Sequence, residues 1–443
     1  MTDNLVLIVR LIESLFSFSN KFVIPFLKDW WWVFPPVFLI GPVANAWLWW
    51  RRSLNIKERE YVVLEIKIPV EIVKPLKAME DVFASCFSLA MDHDPSFWRE
   101  KWIEGQWTFF PSLSFEIASI DGQTHFYVRT ERAYRDGLET AIYAQYPEVQ
   151  ITEVPDYVEA VPQDIPNKNW NFLGKEWYLK NPNPYPLKTY EDFGTETEPK
   201  EERKVDPMAH LLEAFSILKQ GEQIWLQFII SPPNKNLGLE GAALRDKLAH
   251  RSAKLSSNPI VKAIDFILNF ILSTFGVLTP KQEEKKPEVF PSEMRLTPGE
   301  QQTLRMLEKK ASKTAYETTV RFMYLGKREV FYRPRLGLPI SFLGSFAVPG
   351  YNWFGTYKPT QTKVKGFLWF LDKRLLFLKQ RKMFSGYKMR YNPEFPDPGG
   401  SSVLNVEELA TIFHFPGRIA APGPNIERLE SRKGEPPAGL PIG

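Results

Sequence analysis

Residues 30–50 run for twenty-one positions without a charge, WWWVFPPVFLIGPVANAWLWW, and no other stretch narrows the possible folds so sharply. A helix of that length, rising about 1.5 Å per residue, matches the roughly 30 Å hydrocarbon core of a bilayer. Trp30, Trp31 and Trp32 at one end and Trp47, Trp49 and Trp50 at the other suit the preference of indole for the membrane interface, and Arg51 and Arg52 close the segment. Residues 30–52 therefore predict one transmembrane helix, kinked by Pro35, Pro36 and Pro42, which lack amide donors. A buried core helix is the alternative. Bulky aromatic residues stand where signal-peptide cleavage needs small ones, so the segment is expected to be retained. Upstream, residues 1–29 mix apolar side chains with Arg10, Glu13, Lys21 and Lys28 and predict an amphipathic helix lying in the interface, or a second, imperfect crossing over 5–27. Basic residues are more numerous after the span (Arg51, Arg52, Lys57, Arg59, Lys67) than before it. That bias predicts a single-pass protein of the cell membrane with its larger part in the cytoplasm and the lipid bilayer as a partner.

A chain of 443 residues is long enough for more than one core. Residues 60–68 (EYVVLEIKI) alternate, with Val62, Leu64, Ile66 and Ile68 on one face, and residues 75–89 then carry helical spacing through Leu76, Met79, Val82, Phe83 and Phe87. Residues 112–120 and 123–130 alternate on either side of Asp121-Gly122, a dipeptide suited to a tight hairpin turn. A helix over 132–146, stopped by Pro147, and a strand over 149–154 complete βαββαβ, the order of a ferredoxin-like domain over 57–157. Residues 158–186, rich in Pro and Asn, read as a packed connector. A strand over 187–193, a helix over 207–219 and a strand over 223–231 open a second α+β domain, 187–400. It resumes with a helix at 298–312 and a strand at 315–325 after an insertion at 232–297. The expected fold class is thus α+β: an N-terminal transmembrane helix followed by a ferredoxin-like domain, duplicated with an insertion in the second copy. Within the insertion, residues 260–278 are apolar, but Lys262 and Asp265 leave an uncharged run too short for an easy crossing. That run reads as an interfacial helix, a helix buried in a partner, or core.

The search for chemistry excludes more than it finds. With 56 basic and 52 acidic side chains the formal charge is +4, too balanced for the whole chain to be a polyanion binder, so any such patch is local. The single cysteine, Cys86, rules out an intramolecular disulfide and fits a reducing compartment; without a cationic neighbour it reads as a small buried side chain. Neither GxxxxGK[ST] nor a GxGxxG after a strand occurs. His93, His125, His210, His250 and His414 have no metal-ligand spacing, and Asp92-His93-Asp94 reads as a solvated turn before Pro95 unless a fourth ligand comes from elsewhere. His125 reads as a satisfied sheet histidine. No catalytic, cofactor or metal residue is predicted, and the chain is not expected to be an enzyme. One charged feature remains, KVKGFLWFLDKRLLFLKQRKMFSGYKMR over 363–390. Lys373, Arg374, Lys379, Arg381 and Lys382 interleave there with Phe367, Trp369, Phe370 and Phe377 against the single acid Asp372. The pattern fits contact with nucleic-acid phosphates, anionic lipid or an acidic partner, or simply a helix with one solvated basic face.

Residues 404–441, LNVEELATIFHFPGRIAAPGPNIERLESRKGEPPAGLP, resemble the segment just before the nucleotide-binding domain in DNA-binding ATPases of the type IV secretion and conjugation class. The likeness is strongest to a membrane-anchored group from the candidate phyla radiation of bacteria. IPVEIVKPLKAMEDVFA (68–84), WREKWIEG (98–105) and FEIASIDGQTHFYVRTERAYRDGLETAIYAQYPEVQITEVPDY (115–157) are similar to the same group. The resemblance carries over no catalytic residue. It implies a membrane-bound scaffold or adaptor of a secretion-like or conjugation-like machine, within a homo-oligomer or larger membrane assembly. No phosphate loop follows before Gly443, which the resemblance reads as a separate P-loop ATPase chain or a chain lacking its ATPase domain. Residues 401–443 would then dock that ATPase, with Glu407, Glu408, His414 and Pro416 exposed to it. The alternative expectation is a membrane-tethered nucleic-acid-binding module using 363–390.

Overall fold

A computed structural model describes residues 28–29, 34–69, 72, 74–90, 98–104, 113–194, 206–233, 298–364, 369–390, 401–417, 426 and 428–429. Residues 1–60 with 93–109 form one compact unit, and 61–92 with 110–443 form another.

The first unit corrects the leading expectation. The charge-free segment forms most of α1 (Phe34–Glu58), yet among the described residues no helix is long and apolar enough to cross a membrane. Pro35, Pro36, Pro42 and Asn45 dilute its apolar part, and Arg51, Arg52, Ser53, Asn55, Lys57 and Glu58 make its last two turns polar. Lack of charge over twenty-one residues is a weaker condition than sustained apolarity, and the desolvation of those polar groups tips the balance. The single-pass anchor and the cell-membrane location fall with it. The indoles serve local contacts instead: Trp47 Nε1 donates to the Trp102 carbonyl at 2.8 Å, within the π-helical turn Glu100–Glu104. Trp47 and Trp50 pack at 5.2 Å between centroids, and the Arg51 guanidinium lies 5.7 Å from the Trp50 ring. Trp49 is exposed and Arg52 lies on the same helix. Trp30, Trp31, Trp32 and the 5–27 stretch lie outside the described residues.

The second unit begins with β1 (Tyr61–Pro69), α2 (Lys77–Ala90), β2 (Leu113–Ile120), β3 (Gln123–Glu131), α3 (Arg135–Gln145) and β4 (Gln150–Val154). At the hairpin, Asp121 (φ 53°) and Gly122 (φ 87°) both take left-handed backbone, as a two-residue turn between right-twisted strands requires, and Ile120 pairs with Gln123. The spatial order is β4-β1-β3-β2, antiparallel throughout.

The chain continues with β5 (Trp170–Leu179), α4 (Ala209–Ser216), β6 (Glu222–Ser231), α5 (Pro298–Ala311), β7 (Ala315–Lys327), α6 (Gly337–Gly344) and β8 (Phe354–Thr356). Its strands lie in the order β6-β7-β5-β8, the reverse image of the first half, and β2 joins β6 antiparallel from Leu113↔Ile230 to Ile120↔Gln223. Two halves of like topology thus share one sheet. The opening strand of the second half is β5, inside the expected connector, whereas 187–193 forms turn and coil. The sequence WNFLGKEWYL is covered on both faces and therefore shows no alternation. The insertion, including 260–278, falls almost entirely outside the described residues.

After β8 come α7 (Asp372–Met389), β9 (Ser401–Asn405), α8 (Val406–Ile412) and β10 (Arg428–Leu429). β9 pairs with the start of β7, and β10 runs parallel to the end of β1. One face of the sheet meets α2 and α8 through edge-to-face contacts among Phe83, Phe115, Phe126, Phe228 and Phe413. Each such ring, fully buried, contributes about 1.5–3 kcal/mol. On the opposite face α7 seats Met383, Phe384 and Tyr387 against Phe172, Trp225, Tyr127 and Tyr157. Gly174 allows that approach, since a Cβ there would lie 3.3 Å from Met383 Cε and 3.2 Å from the Phe322 carbonyl.

Beneath α7 the strand register aligns Glu65, Tyr127, Glu116, Gln227, Arg321 and Glu176 in one row across six strands. Such a row is costly to bury unless it is satisfied. Glu116 accepts from Ser114 Oγ (2.5 Å), Tyr157 Oη (2.7 Å), Gln227 Nε2 (2.8 Å) and Arg390 Nε (3.0 Å). Arg321 pairs with Glu176 and donates to the Gly386 carbonyl of α7 at 3.2 Å. Arg390 follows α7 with left-handed backbone, φ 51°, an arrangement that costs a non-glycine residue about 1 kcal/mol or more and that its bonds to Glu116 and Asp156 sustain. Burial alone would raise the Glu116 carboxyl, but the Arg390 charge and hydrogen bonds outweigh it and hold it below the usual range.

Candidate functional site

Strand β5 is the scaffold of the site. Its outer edge would be a row of open backbone groups, but distant parts of the chain satisfy it. Gln380 Nε2 of α7 donates to the Phe172 carbonyl at 2.6 Å, and Thr362 Oγ1 accepts from Gly174 N–H and donates to its carbonyl, both at 2.9 Å. Tyr357 N–H donates to the Glu176 carbonyl at 2.8 Å, and β8 pairs with the rest. Three segments are thereby drawn together: the turn before β5, the 361–364 strap and the first half of α7. The segment after β7 joins them, tied by hydrogen bonds from Arg328 to the Asn169 and Asn167 carbonyls at 2.8 and 2.9 Å.

An open groove of about 1010 Å³ runs between these segments, beside a second cavity of about 360 Å³ with which it shares Leu173, Arg333, Thr362 and Lys363 as lining. Lys168, Lys175, Arg328, Arg333, Lys363 and Lys373 line the two, and no Asp or Glu does. Among the described residues none of the six has an ion-pair partner. Lys175 is half-buried, and burial, with the nearby charge of Lys363, pulls its ammonium below the ordinary lysine value. Phe331 and Phe377 add aromatic surface, Phe331 stacked on Tyr324 at 4.7 Å and Phe377 40% exposed. Concentrated positive charge beside apolar walls attracts anions and strengthens their contacts.

The basic stretch divides by role. Lys373 lines the groove, joined by Lys363. Arg374 and Lys382 are exposed on α7, Lys379 is half-buried, and Arg381 lies 5.1 Å from the Phe377 ring; none of these four lines the groove. Lys388 and Arg390 are taken up in internal contacts. Lys168, Lys175, Arg328 and Arg333 escaped the sequence reading because they come from separate segments, although GKREVFYRPR at 326–335 is itself a short basic, aromatic run.

The C-terminal docking residues are a correction. Glu407, Glu408, His414 and Pro416 are buried, not presented to a partner. Glu407 pairs with Lys309 and Lys313 at 2.9 Å each, and Glu408 with Lys310 at 3.0 Å. Glu408 also closes a capping box with Asn405 at the start of α8. Burial pushes the Glu408 carboxyl up and the Lys310 ammonium down, both toward their neutral forms. His414 spans Asp206 (3.0 Å) and the Ala410 carbonyl (2.9 Å). Glu407 and Glu408 read as surface because their cationic partners, Lys309, Lys310 and Lys313, lie about a hundred residues upstream.

Asp92, His93 and Asp94 lie outside the described residues. His125 Nδ1 is 2.8 Å from Glu65 Oε1, and its ring stacks on Tyr127; His210 meets Ser341 Oγ at 2.7 Å. Among the described residues no three His, Cys, Asp or Glu side chains are grouped to hold a metal.

Fold and groove together define an α+β protein built on one largely antiparallel sheet that carries a cationic, aromatic-walled groove at its β5 edge. Residues 97–336 match the profile of a domain of unknown function, DUF8128, over more than half of the chain, and the chain belongs to that family. The match includes β2 to β7 and four of the six cations that line the groove and the smaller cavity, Lys168, Lys175, Arg328 and Arg333. No curated protein matches the chain.

Proposed function

We propose that the chain is a nucleic-acid-binding module that holds a single strand in the cationic groove, phosphates on the lysines and arginines and bases against Phe331 and Phe377. The observation that carries the reading is the five cations lining the groove, none with an ion-pair partner among the described residues and no acid among them. Each costs self-repulsion in the free protein, and a phosphate backbone relieves it with release of counterions. Aromatic side chains beside such a groove suit unstacked bases of any sequence. The resemblance to the region preceding the ATPase domain of DNA-transfer ATPases agrees with a nucleic-acid ligand. The scaffold reading loses two of its supports, the anchor among the described residues and the exposure of Glu407, Glu408, His414 and Pro416.

The test is fluorescence anisotropy with a 3′-labelled single strand of about 20 nucleotides. Arg328→Glu with Lys373→Glu should weaken binding by about tenfold or more, and Arg374→Glu with Lys382→Glu, equal in charge but outside the groove, by far less. Equal losses, or no binding by the unmodified chain, would reject the proposal.

A further inference from the structure

The smaller cavity is a compartment of its own. Lys175, Arg333 and Lys363 line it, and it carries three positive charges without a carboxylate. Lys175 reaches it from β5, at a position next to Glu176, whose carboxylate is committed to Arg321 in the row beneath α7. Alternation of side chains along the strand sends Lys175 to the other face, away from that acid. Its ammonium lies 5.9 Å from the Trp177 ring and feels the charge of Lys363, whose neighbour Thr362 is bonded to Gly174 on β5. A half-buried Lys175 with the exposed Lys363 and Arg333 around one cavity, and no carboxylate in its lining, leaves a place for an anion.

We infer, building on the proposed nucleic-acid reading, that this compartment receives the terminal phosphate monoester of the bound strand. An internal phosphodiester carries one negative charge, whereas a terminal monoester carries about 1.5 to 2 at neutral pH and three free acceptor oxygens. Three cations around one cavity match the monoester better in charge and in number of donors. The cavity adjoins the groove, with Arg333 and Lys363 lining both, so the end of a strand lying in the groove comes next to it. Gln361 and Gly337 line the same cavity and add no charge that would repel the group.

The experiment compares three strands of one sequence, carrying a 5′ phosphate, a 3′ phosphate or neither, labelled internally and titrated with the full chain. The inference expects one phosphorylated strand to bind about tenfold tighter than the unphosphorylated one. It expects that preference to vanish in Lys175→Met with Lys363→Met, while Arg328→Glu with Lys373→Glu weakens all three strands alike. Methionine keeps the length and apolar stem of lysine, and circular dichroism checks the fold. Equal binding of all three strands, or a preference that survives the methionine variant, overturns the inference and leaves the groove reading standing. If no strand binds, the groove reading fails, and inorganic phosphate judges the cavity alone. A rise in melting temperature of the unmodified chain, absent in the methionine variant, sustains an anion site there, and no rise overturns it.

Discussion

Arg390 and Glu116, 274 residues apart in the chain, form an enclosed ion pair with Nε 3.0 Å from Oε1, which ties the end of α7 to the middle of the sheet. The other end of α7 carries Lys373 and Phe377 into the groove, so the pair holds one wall of the candidate site at a distance.

Breaking that pair from one side leaves a charge buried without its partner. Arg390→Met should cost about 3–5 kcal/mol in urea unfolding, and the double variant Glu116→Gln with Arg390→Met clearly less than the sum of the two single changes. Additive losses would mean that the two side chains act independently. Oligonucleotide affinity should fall in Arg390→Met even though Arg390 does not line the groove.

Acid should unfold the protein over a defined range. Burial would raise the carboxyls of Glu116, Asp206 and Glu407, but Arg390, His414 and the hydrogen bonds from Thr189, Lys313 and Lys309, respectively, hold them below their ordinary values. A depressed folded-state value adds stability above the unfolded value, and this is lost as pH falls through the folded one. The urea midpoint should therefore stay level from neutrality to about pH 5 and drop steeply below about pH 4. Glu408, raised by burial, has the opposite sign and gains as pH falls, so Glu408→Gln should leave the acid drop in place. Midpoints measured between about pH 3 and 8 check both statements.

Cys86 should be silent in the folded protein. It is fully enclosed between α2 and the sheet, and burial pushes its thiol up to about 12. A thiol-specific reagent should label it only at the rate of unfolding, rising with urea. Fast labelling in buffer would contradict the packing of α2.

Where a segment has one polar face, the sequence announced its structure. β1 and the Asp121-Gly122 hairpin showed their alternation and turn chemistry openly. β5 did not, because both its faces are covered, and three-residue β8 is too short to have a period. The α1 segment misled because tryptophan, proline and asparagine are uncharged without being strongly apolar. Glu407 and Glu408 misled in the opposite direction, since only the folded chain brings Lys309, Lys310 and Lys313 to them. The groove was half legible: Lys363 and Lys373 belong to a visible basic run, while Lys168, Lys175, Arg328 and Arg333 converge only through pairing at the β5 edge.

The central claim, that a phosphate backbone lies on these cations, is tested most directly by the salt dependence of single-strand affinity. The logarithm of the association constant should fall linearly with the logarithm of salt concentration, and each groove cation replaced by alanine should flatten the slope by about 0.7. Arg328→Ala with Lys373→Ala should therefore lower the slope by about 1.4, with little change for Arg374→Ala. Affinity independent of salt, or a slope unmoved by the two groove substitutions, would contradict the account.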